Sequence, residues 1–314
     1  MKKEFNMLNY FNTRALFMGI GLSRVISYAH EYSYISVILG TIIGVFLLYL
    51  LKLEMKSSFI NVLLNSCIII VSLVILINMI STMYLTKMPK LLIGLPFCLV
   101  LLYLLNKKEI VLYRISSILL FFNLVCYIFA FFSLARYFTL DNFYFTDVSI
   151  KSILISAIEF ALYSVTPTFL TRNSETKDIS IYKTYIVSAF TMGIIIMLAI
   201  GILGSNVSSI VRYPEYLILK EVSLTTAIQN IENIVSYMWI IDVFILLASC
   251  GNSIKNNVKN KWVINIVIPI LLFITTYMNN HYEFILLLYR YSPFILSGVL
   301  IVLWLSNKKL IFER

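Results

Sequence analysis

Apolar runs follow one another along almost the whole chain, with short polar stretches between them. A helix that crosses a bilayer needs about 20 consecutive apolar residues, so each run is a candidate transmembrane span. The pattern therefore predicts an all-α membrane protein with about ten transmembrane helices in a single domain, residues 1–314. The candidate spans are residues 13–29, 33–51, 60–84, 90–105, 110–134, 150–170, 181–204, 231–250, 262–279 and 284–305.

The composition agrees with a polytopic membrane protein. The chain is 60% hydrophobic and only 13% charged, with a mean hydropathy of +0.91, whereas a soluble domain is about 45–50% apolar and about 25% charged. The polar stretches are too short to form a separate soluble domain. The sequence instead predicts a protein whose main partner is the lipid bilayer.

The net charge of +10 does not indicate nucleic-acid binding, because the basic residues are scattered among the loops between spans. Cytoplasmic loops of membrane proteins carry an excess of Lys and Arg. If the N-terminus is cytoplasmic and ten spans alternate, most basic residues, Arg14 at a span end included, lie on the cytoplasmic side, and Arg24 and Arg290 fall deep within spans. Both termini are therefore predicted to be cytoplasmic.

The sixth span, ILISAIEFALYSVTPTFL at residues 153–170, contains Glu159 and Pro167. Proline removes a backbone hydrogen bond and clashes with the preceding turn, and a charge in the middle of a bilayer costs about 2.5–3.5 kcal/mol. An acidic residue beside a broken helix is typical of a transporter binding site. The alternative is a kinked helix whose Glu159 lies near the interface and binds nothing.

Ten spans divide into two units of five, and an odd-numbered unit repeated once must be inserted in opposite orientations. We predict such a 5+5 inverted repeat, the amino-acid-permease fold, over about residues 13–134 and 150–306, with helices 1 and 6 broken near the midplane. In the first span Gly19 and Gly21 loosen the helix, and Arg24 follows. The predicted small-molecule site comprises Gly19, Gly21, Arg24, Glu159, Tyr163, Ser164, Thr166 and Pro167.

Arg24 has three possible arrangements as far as the residues alone indicate. It can pair with Glu159, which would neutralise both charges. It can hold a substrate carboxylate with its planar fork of donors, or it can extend to the outer headgroups. The sequence leaves all three open.

Asp242 is the second acidic residue deep in a span. Asp242 and Glu159 are the candidates for ion or proton coupling, and the alternative for Asp242 is a hydrogen bond to a neighbouring helix such as the one carrying Asn61, Asn65 or Asn78. Residues 214–229 approximate an amphipathic helix on the outer face, where charges including Glu215 prevent full burial. Gly40 and Gly44 form a G-x-x-x-G pattern consistent with close helix packing.

The chain carries none of the common catalytic or metal-binding patterns. Its four cysteines show no C-x-x-C spacing, and its two histidines, His30 and His281, are far apart. No nucleophile–base pair or phosphate-binding loop is evident. We predict a protein that is not an enzyme and that has no metal or cofactor.

Three segments resemble the spore germination permease family, the B-type membrane subunits of nutrient germinant receptors, within the amino acid–polyamine–organocation superfamily. They are residues 157–170 (AIEFALYSVTPTFL), residues 19–50 with the glycine pair, and residues 213–244, which match the family pattern at Pro214, Lys220, Ile231, Glu232 and Trp239.

The resemblance implies a ten-helix fold that binds a small nutrient, such as an amino acid, between helices one, three, six and eight. It also implies that the protein acts with an A-type membrane subunit and a C-type lipoprotein subunit in the inner spore membrane, where the nutrient triggers germination. The alternatives are a proton-coupled amino-acid permease, a secondary transporter, and a subunit whose site no longer binds a ligand.

Overall fold

The computed structural model describes residues 2–50, 58–143, 147–171, 181–220, 231–258 and 262–308. Within these ranges the chain forms helices joined by turns, without a β-strand. A π-helical segment at Phe17–Gly21 joins the first two α-helices. The α-helices are α1 (Lys2–Leu16), α2 (Leu22–Ala29), α3 (Ser33–Leu50), α4 (Ser58–Met83), α5 (Lys90–Leu105), α6 (Glu109–Ala135), α7 (Ile150–Leu170), α8 (Tyr182–Ile210), α9 (Pro214–Lys220), α10 (Ile231–Asn257), α11 (Val263–Asn280) and α12 (Tyr282–Lys308).

Eight helical stretches within the described residues are long and apolar enough to cross a membrane, as in a multi-pass integral membrane protein. They are Glu4–Leu50, Phe59–Met83, Glu109–Ala135, Ile150–Leu170, Tyr182–Ile210, Tyr237–Asn257, Val263–Asn280 and Tyr282–Leu305. The prediction of an all-α membrane protein is confirmed. The number differs from ten because the first two predicted spans lie in one stretch and α5 is shorter than the others.

The first helix, which comprises α1, the π-helical segment and α2, runs antiparallel to α7. The hydroxyl of Ser156 donates to the carbonyl of Val25 at 3.0 Å, and the hydroxyls of Thr13 and Thr168 are 2.9 Å apart. Residue numbers therefore rise along the first helix as they fall along α7. The π-helical segment lies between these two contacts and is buried throughout.

Helix α3 runs in the opposite direction to the first helix. The hydroxyl of Ser36 donates to the carbonyl of Ile153, and Gly40 lies against Ala157, so α3 is parallel to α7. The chain reverses at His30. Among the described residues, His30 is the non-glycine residue with a positive φ, and its value is 44°. The 47-residue stretch Glu4–Leu50 is thus two antiparallel helices.

The prediction that helices 1 and 6 are broken is wrong. Helix α7 continues without interruption to Leu170, with Pro167 inside its last turn, and the first helix continues through its π-helical segment into α2. Pro167 has no N–H to donate to the carbonyl of Tyr163, four residues before it, yet the helix continues through this turn. The hydroxyl of Thr171 then caps the carbonyl of Pro167 at 2.9 Å.

Glycines serve close packing in this fold, in place of the unwinding that we predicted for Gly19 and Gly21. A Cβ added to Gly40 would lie 2.6 Å from the carbonyl oxygen of Ala157, and one added to Gly44 would overlap Tyr185. The close packing predicted from the G-x-x-x-G pattern is confirmed. Over an 18-residue window, buried residues make up 78% in α7 and 28% in α6, so α7 lies in the interior of the bundle and α6 at its periphery.

We expect Gly40→Ala to lower the stability of the folded protein by about 1–3 kcal/mol, because the added methyl group meets rigid backbone on α7. Gly298→Ala is the matched control, since an added Cβ there has nothing within 4 Å and alanine favours a helix by about 0.5–1 kcal/mol over glycine. Thermal unfolding of both variants in detergent measures the difference. Equal midpoints for the two variants would contradict the close approach of α3 and α7.

Candidate functional site

Arg24 on α2 and Glu159 on α7 form a two-pronged ion pair. Nη2 of Arg24 lies 2.7 Å from Oε1 of Glu159, and Nε lies 3.0 Å from Oε2. Nη1 donates to the carbonyl of Tyr289 on α12 at 3.0 Å. Of the three arrangements considered for Arg24, the structure therefore contains the pair with Glu159.

The pair is largely but not completely buried within the helix bundle. The side chain of Arg24 is 19% exposed and that of Glu159 is 7% exposed. A planar guanidinium that binds a carboxylate with two parallel bonds is the strongest common form of ion pair in proteins.

Two other predicted site residues on α7, Tyr163 and Ser164, are hydrogen-bonded to neighbouring helices. The hydroxyl of Tyr163 lies 2.6 Å from that of Ser292, and the hydroxyl of Ser164 lies 2.8 Å from that of Tyr185. The hydroxyl of Thr166 is buried and has no hydrogen-bond partner among the described residues. These contacts fix the orientation of α7 against α8 and α12.

The predicted glycines are covered by aromatic rings. A Cβ added to Gly19 would lie 2.7 Å from the indole of Trp239 on α10, and one added to Gly21 would lie 2.9 Å from the ring of Tyr163. Arg24, Glu159, Gly21 and Tyr163 thus lie together, as predicted. The unpaired backbone that we expected at Gly19 and Gly21 is not formed, because the helix is not unwound and these rings pack directly on it.

A second ion pair joins Arg14 on α1 to Asp242 on α10. Nη2 of Arg14 lies 3.3 Å from Oδ2 of Asp242, and both side chains are completely buried. Asn123 on α6 donates to Oδ1 of Asp242 at 3.1 Å, and the guanidinium of Arg14 also donates to the hydroxyls of Tyr10 and Tyr127. Every charge in this group has a polar partner.

Two expectations about this group are corrected. Arg14 was assigned to the cytoplasmic side, but it is inside the bundle, because the first helix begins at Lys2 and not near residue 13. Asp242 does form a hydrogen bond with a neighbouring helix, as one alternative held, but its partner is Asn123 on α6 and not an asparagine of α4. Asn65 there bonds to Asn61, and Asn78 bonds to Tyr213.

A signal for the buried position of Arg14 exists in the sequence. Phe5, Leu8 and Phe11 precede the first predicted span and continue at helical spacing into Ala15, and all four are buried. An apolar stripe of this kind indicates that a polar-looking segment extends the helix. A search for continuous apolar runs misses this stripe, because the polar residues between its members lower the average hydropathy of the segment.

The two ion pairs lie on either side of the π-helical segment. Arg14 and Arg24 are ten positions apart, which is roughly 15 Å along a helix. Arg14 attaches the first helix to α10 and α6, whereas Arg24 attaches it to α7 and α12. If the first helix moves, at least one of the two ion pairs must break, or the helix at the other end of that pair must move with it.

Glu215, at the start of α9, is buried although we expected it to keep this segment exposed. The residue is 6% exposed, and neither carboxylate oxygen has a hydrogen-bond partner among the described residues. Burial raises the pKa of Glu215 to about 8. The rest of the predicted amphipathic segment, from residue 221 to residue 229, lies outside the described residues.

No protein-family model matches the chain, and no curated protein is significantly similar to it. The family membership inferred from three sequence segments therefore stays a prediction. The residues of the two ion pairs carry the functional interpretation.

We expect Asp242→Asn to destabilise the protein by about 3–5 kcal/mol, because it leaves the guanidinium of Arg14 buried without its counter-charge. Replacing both Arg14 and Asp242 by leucine is expected to cost less than the sum of the two single replacements. Asp141→Asn, at an exposed position, is the control and is expected to be neutral. Denaturation in detergent measures all of these variants, and additive losses would contradict a direct pair.

The stability of the protein is expected to fall as pH rises from about 5 to about 8 through Glu215. The unfolded chain loses this proton near pH 4.5, whereas the folded chain holds it up to about pH 8, so the unfolded state binds fewer protons in this interval. Glu215→Gln should therefore lose less thermal stability than the parent between pH 5.5 and pH 8.5. Parallel pH profiles for parent and variant would contradict the burial of a titrating carboxyl.

Proposed function

We propose that this protein binds a small zwitterionic nutrient, an amino acid, within the membrane and acts as the membrane subunit of a nutrient germinant receptor. The observation that carries the proposal is the pair of opposite charges formed by Arg24 and Glu159. The resemblance to B-type germinant receptor subunits supplies the biological setting. It includes the A-type and C-type partner subunits, the inner spore membrane and the cytoplasmic termini.

A zwitterion complements the Arg24–Glu159 pair at both of its charges. The carboxylate of an amino acid would take the place of the Glu159 carboxylate on the guanidinium of Arg24, where the planar fork fits it with two bonds. The ammonium group would bind the released carboxylate of Glu159. The ligand is neutral overall, so the site gains no net charge, and a buried net charge is the costly outcome.

Opening this pair would release the contact between α2 and its neighbours α7 and α12. A ligand shifts such an equilibrium only by binding one state more tightly than the other. Moving it from 1:99 to 99:1 requires a preference of about 10⁴, or about 5.5 kcal/mol. Two charge-assisted interactions that form in only one state are of the right size for most of that preference.

The ten-helix inverted repeat belongs to the proposal. The eight apolar stretches become ten helices when Glu4–Leu50 is counted as two antiparallel helices and α5 is included. Each proposed half then has five helices, and their first members, the helix containing Arg24 and α7, pack antiparallel. Repeats inserted in opposite orientations predict this antiparallel arrangement.

A proton-coupled amino-acid permease is the second candidate. The observation that favours it is Asp242, a completely buried carboxylate in a helix that could cross the membrane. An acidic residue in such a place is a common proton or ion carrier in transporters. Asp242 is held by Arg14, so coupling would require that pair to open during the transport cycle.

Ligand-induced stabilisation tests the binding proposal. A panel of amino acids is added to the purified protein, and a ligand present at 100 times its Kd should stabilise the parent by about 2.7 kcal/mol. Arg24→Ala and Glu159→Gln should both abolish the response, because each removes one of the two complementary charges. Glu283→Gln, at an exposed position of α12, should respond like the parent.

The same assay defines the recognised groups. The amine and the carboxylic acid that correspond to the best amino acid each lack one charge and should bind far more weakly. A response in both Arg24→Ala and Glu159→Gln equal to that of the parent would show that the nutrient binds elsewhere.

Uptake of a labelled amino acid into proteoliposomes separates the two functions. A receptor should show no accumulation with or without a pH gradient, whereas a permease should show uptake that the gradient drives and that Asp242→Asn abolishes. Robust uptake driven by the gradient would contradict the receptor proposal.

A further inference from the structure

A cavity of about 440 Å³ lies between α6 and α8, beneath α9. Its walls are aliphatic and aromatic, and the polar residues among those that line it are Tyr127, Thr191 and Glu215. Phe132 and Ile128 on its rim are 70% and 58% exposed on the outer face of α6. Because α6 could cross the membrane, the cavity opens towards the lipid.

Glu215 is the acidic residue among the described residues that line the cavity. Its side chain is 6% exposed, and both of its oxygens lack a hydrogen-bond partner among the described residues. The nearby Arg212 stacks on the ring of Tyr289, 4.7 Å from the ring centre. Burial raises the pKa of this carboxyl to about 8, so it is neutral in the free protein at neutral pH. A cationic group placed on it would release the proton to solvent and form the ion pair that the described residues do not supply.

The other polar groups of the cavity are already engaged. The hydroxyl of Tyr127 accepts from Arg14, and the hydroxyl of Thr191 donates to the carbonyl of Ser188 at 2.8 Å. Glu215 is thus the group in the lining that is left to bind a ligand. A ligand with a free carboxylate would meet Glu215 and, among the described lining residues, no cationic side chain, so this cavity complements an amine better than an amino acid.

We infer that this cavity binds a small apolar molecule that carries one protonated amine, with the amine on Glu215 and the apolar body between α6 and α8. The volume is within the range of about 300–1,000 Å³ that is usual for small-molecule sites. The apolar walls bury the hydrocarbon part of the ligand. Its ammonium group provides hydrogen-bond donors and a positive counter-charge for the carboxylate of Glu215. The site is separate from the Arg24–Glu159 pair and does not depend on the nutrient proposal.

Occupancy of the cavity has a direct route to the first helix. Met18 of the π-helical segment lines the cavity, and Tyr127, which also lines it, accepts a hydrogen bond from Arg14. A ligand between α6 and α8 would therefore contact residues that hold the first helix in place. The amine site is a place from which that helix can be stabilised or displaced.

Three probes of the same size test the inference: phenylbutylamine, phenylbutanol and phenylbutyrate, which carry a cation, a neutral hydroxyl and an anion. Binding to the purified full-length protein is measured by ligand-detected NMR. The parent should bind the amine at least tenfold more tightly than the alcohol, and the anion most weakly. Glu215→Gln should bind the amine and the alcohol equally.

Two further variants make the result specific. Ala130→Phe adds bulk at a buried residue of the cavity wall and should weaken the amine and the alcohol together, whereas Glu283→Gln should match the parent with all three probes. Unchanged amine binding in Glu215→Gln, or unchanged binding of every probe in Ala130→Phe, would overturn the inference. It would also be overturned if the amine did not bind while phosphatidylethanolamine copurified with the parent and not with Glu215→Gln, because the occupant would then be a lipid headgroup.

Discussion

The ion pair between Arg24 and Glu159 holds the first helix against α7, the buried helix on which α3 and α12 also pack. Lipid is as apolar as the helices, so association in a membrane relies on close packing and polar contacts. The 2.7 Å contact between these two side chains and the hydrogen bond from Ser156 to Val25 connect the same two helices. Loss of either charge would leave the other without its partner in a poorly solvated place.

The second ion pair joins the first helix to α10, at a position ten residues before Arg24. Arg14 holds α1 to α10 while Arg24 holds α2 to α7, and the π-helical segment between them is the irregular part of an otherwise continuous helix. Single-turn π-helical segments inside α-helices occur frequently at functional sites. In the proposed mechanism a zwitterion opens the Arg24 pair while the Arg14 pair remains, so that α2 separates from α7 and α1 keeps its place.

The two proposed sites have opposite chemical requirements. The Arg24–Glu159 pair offers both charges and is complementary to a neutral zwitterion, whereas the cavity beneath α9 offers one carboxylate within apolar walls. The sites meet at the first helix, because Arg24 belongs to it and Met18 lines the cavity. A molecule bound in the cavity would therefore change the energy of the same helix that the nutrient is proposed to release.

Much of the fold could be predicted from the sequence, because the length of an apolar run reports directly on burial in lipid. The pairing of Arg24 with Glu159 was one of three arrangements that the sequence left open, because charges within apolar runs need partners but the sequence does not say which, and the structure selects it. The state of the helices was not predictable in this way. Gly19 and Pro167 suggest breaks locally, but Trp239, far away in sequence, packs on Gly19, and only the three-dimensional packing shows that the helix remains intact. Two other buried acidic residues were equally beyond local prediction. Asp242 pairs with Arg14, more than two hundred residues before it. Glu215 is buried because α9 packs against α8 and α10.

An experimental structure with the best-binding amino acid tests the central claim most directly. The account predicts that the carboxylate of the ligand lies on the guanidinium of Arg24 and its ammonium group on Glu159. The 2.7 Å contact between those two side chains should then be broken. An amino acid bound elsewhere, with the Arg24–Glu159 contact intact, would contradict the account.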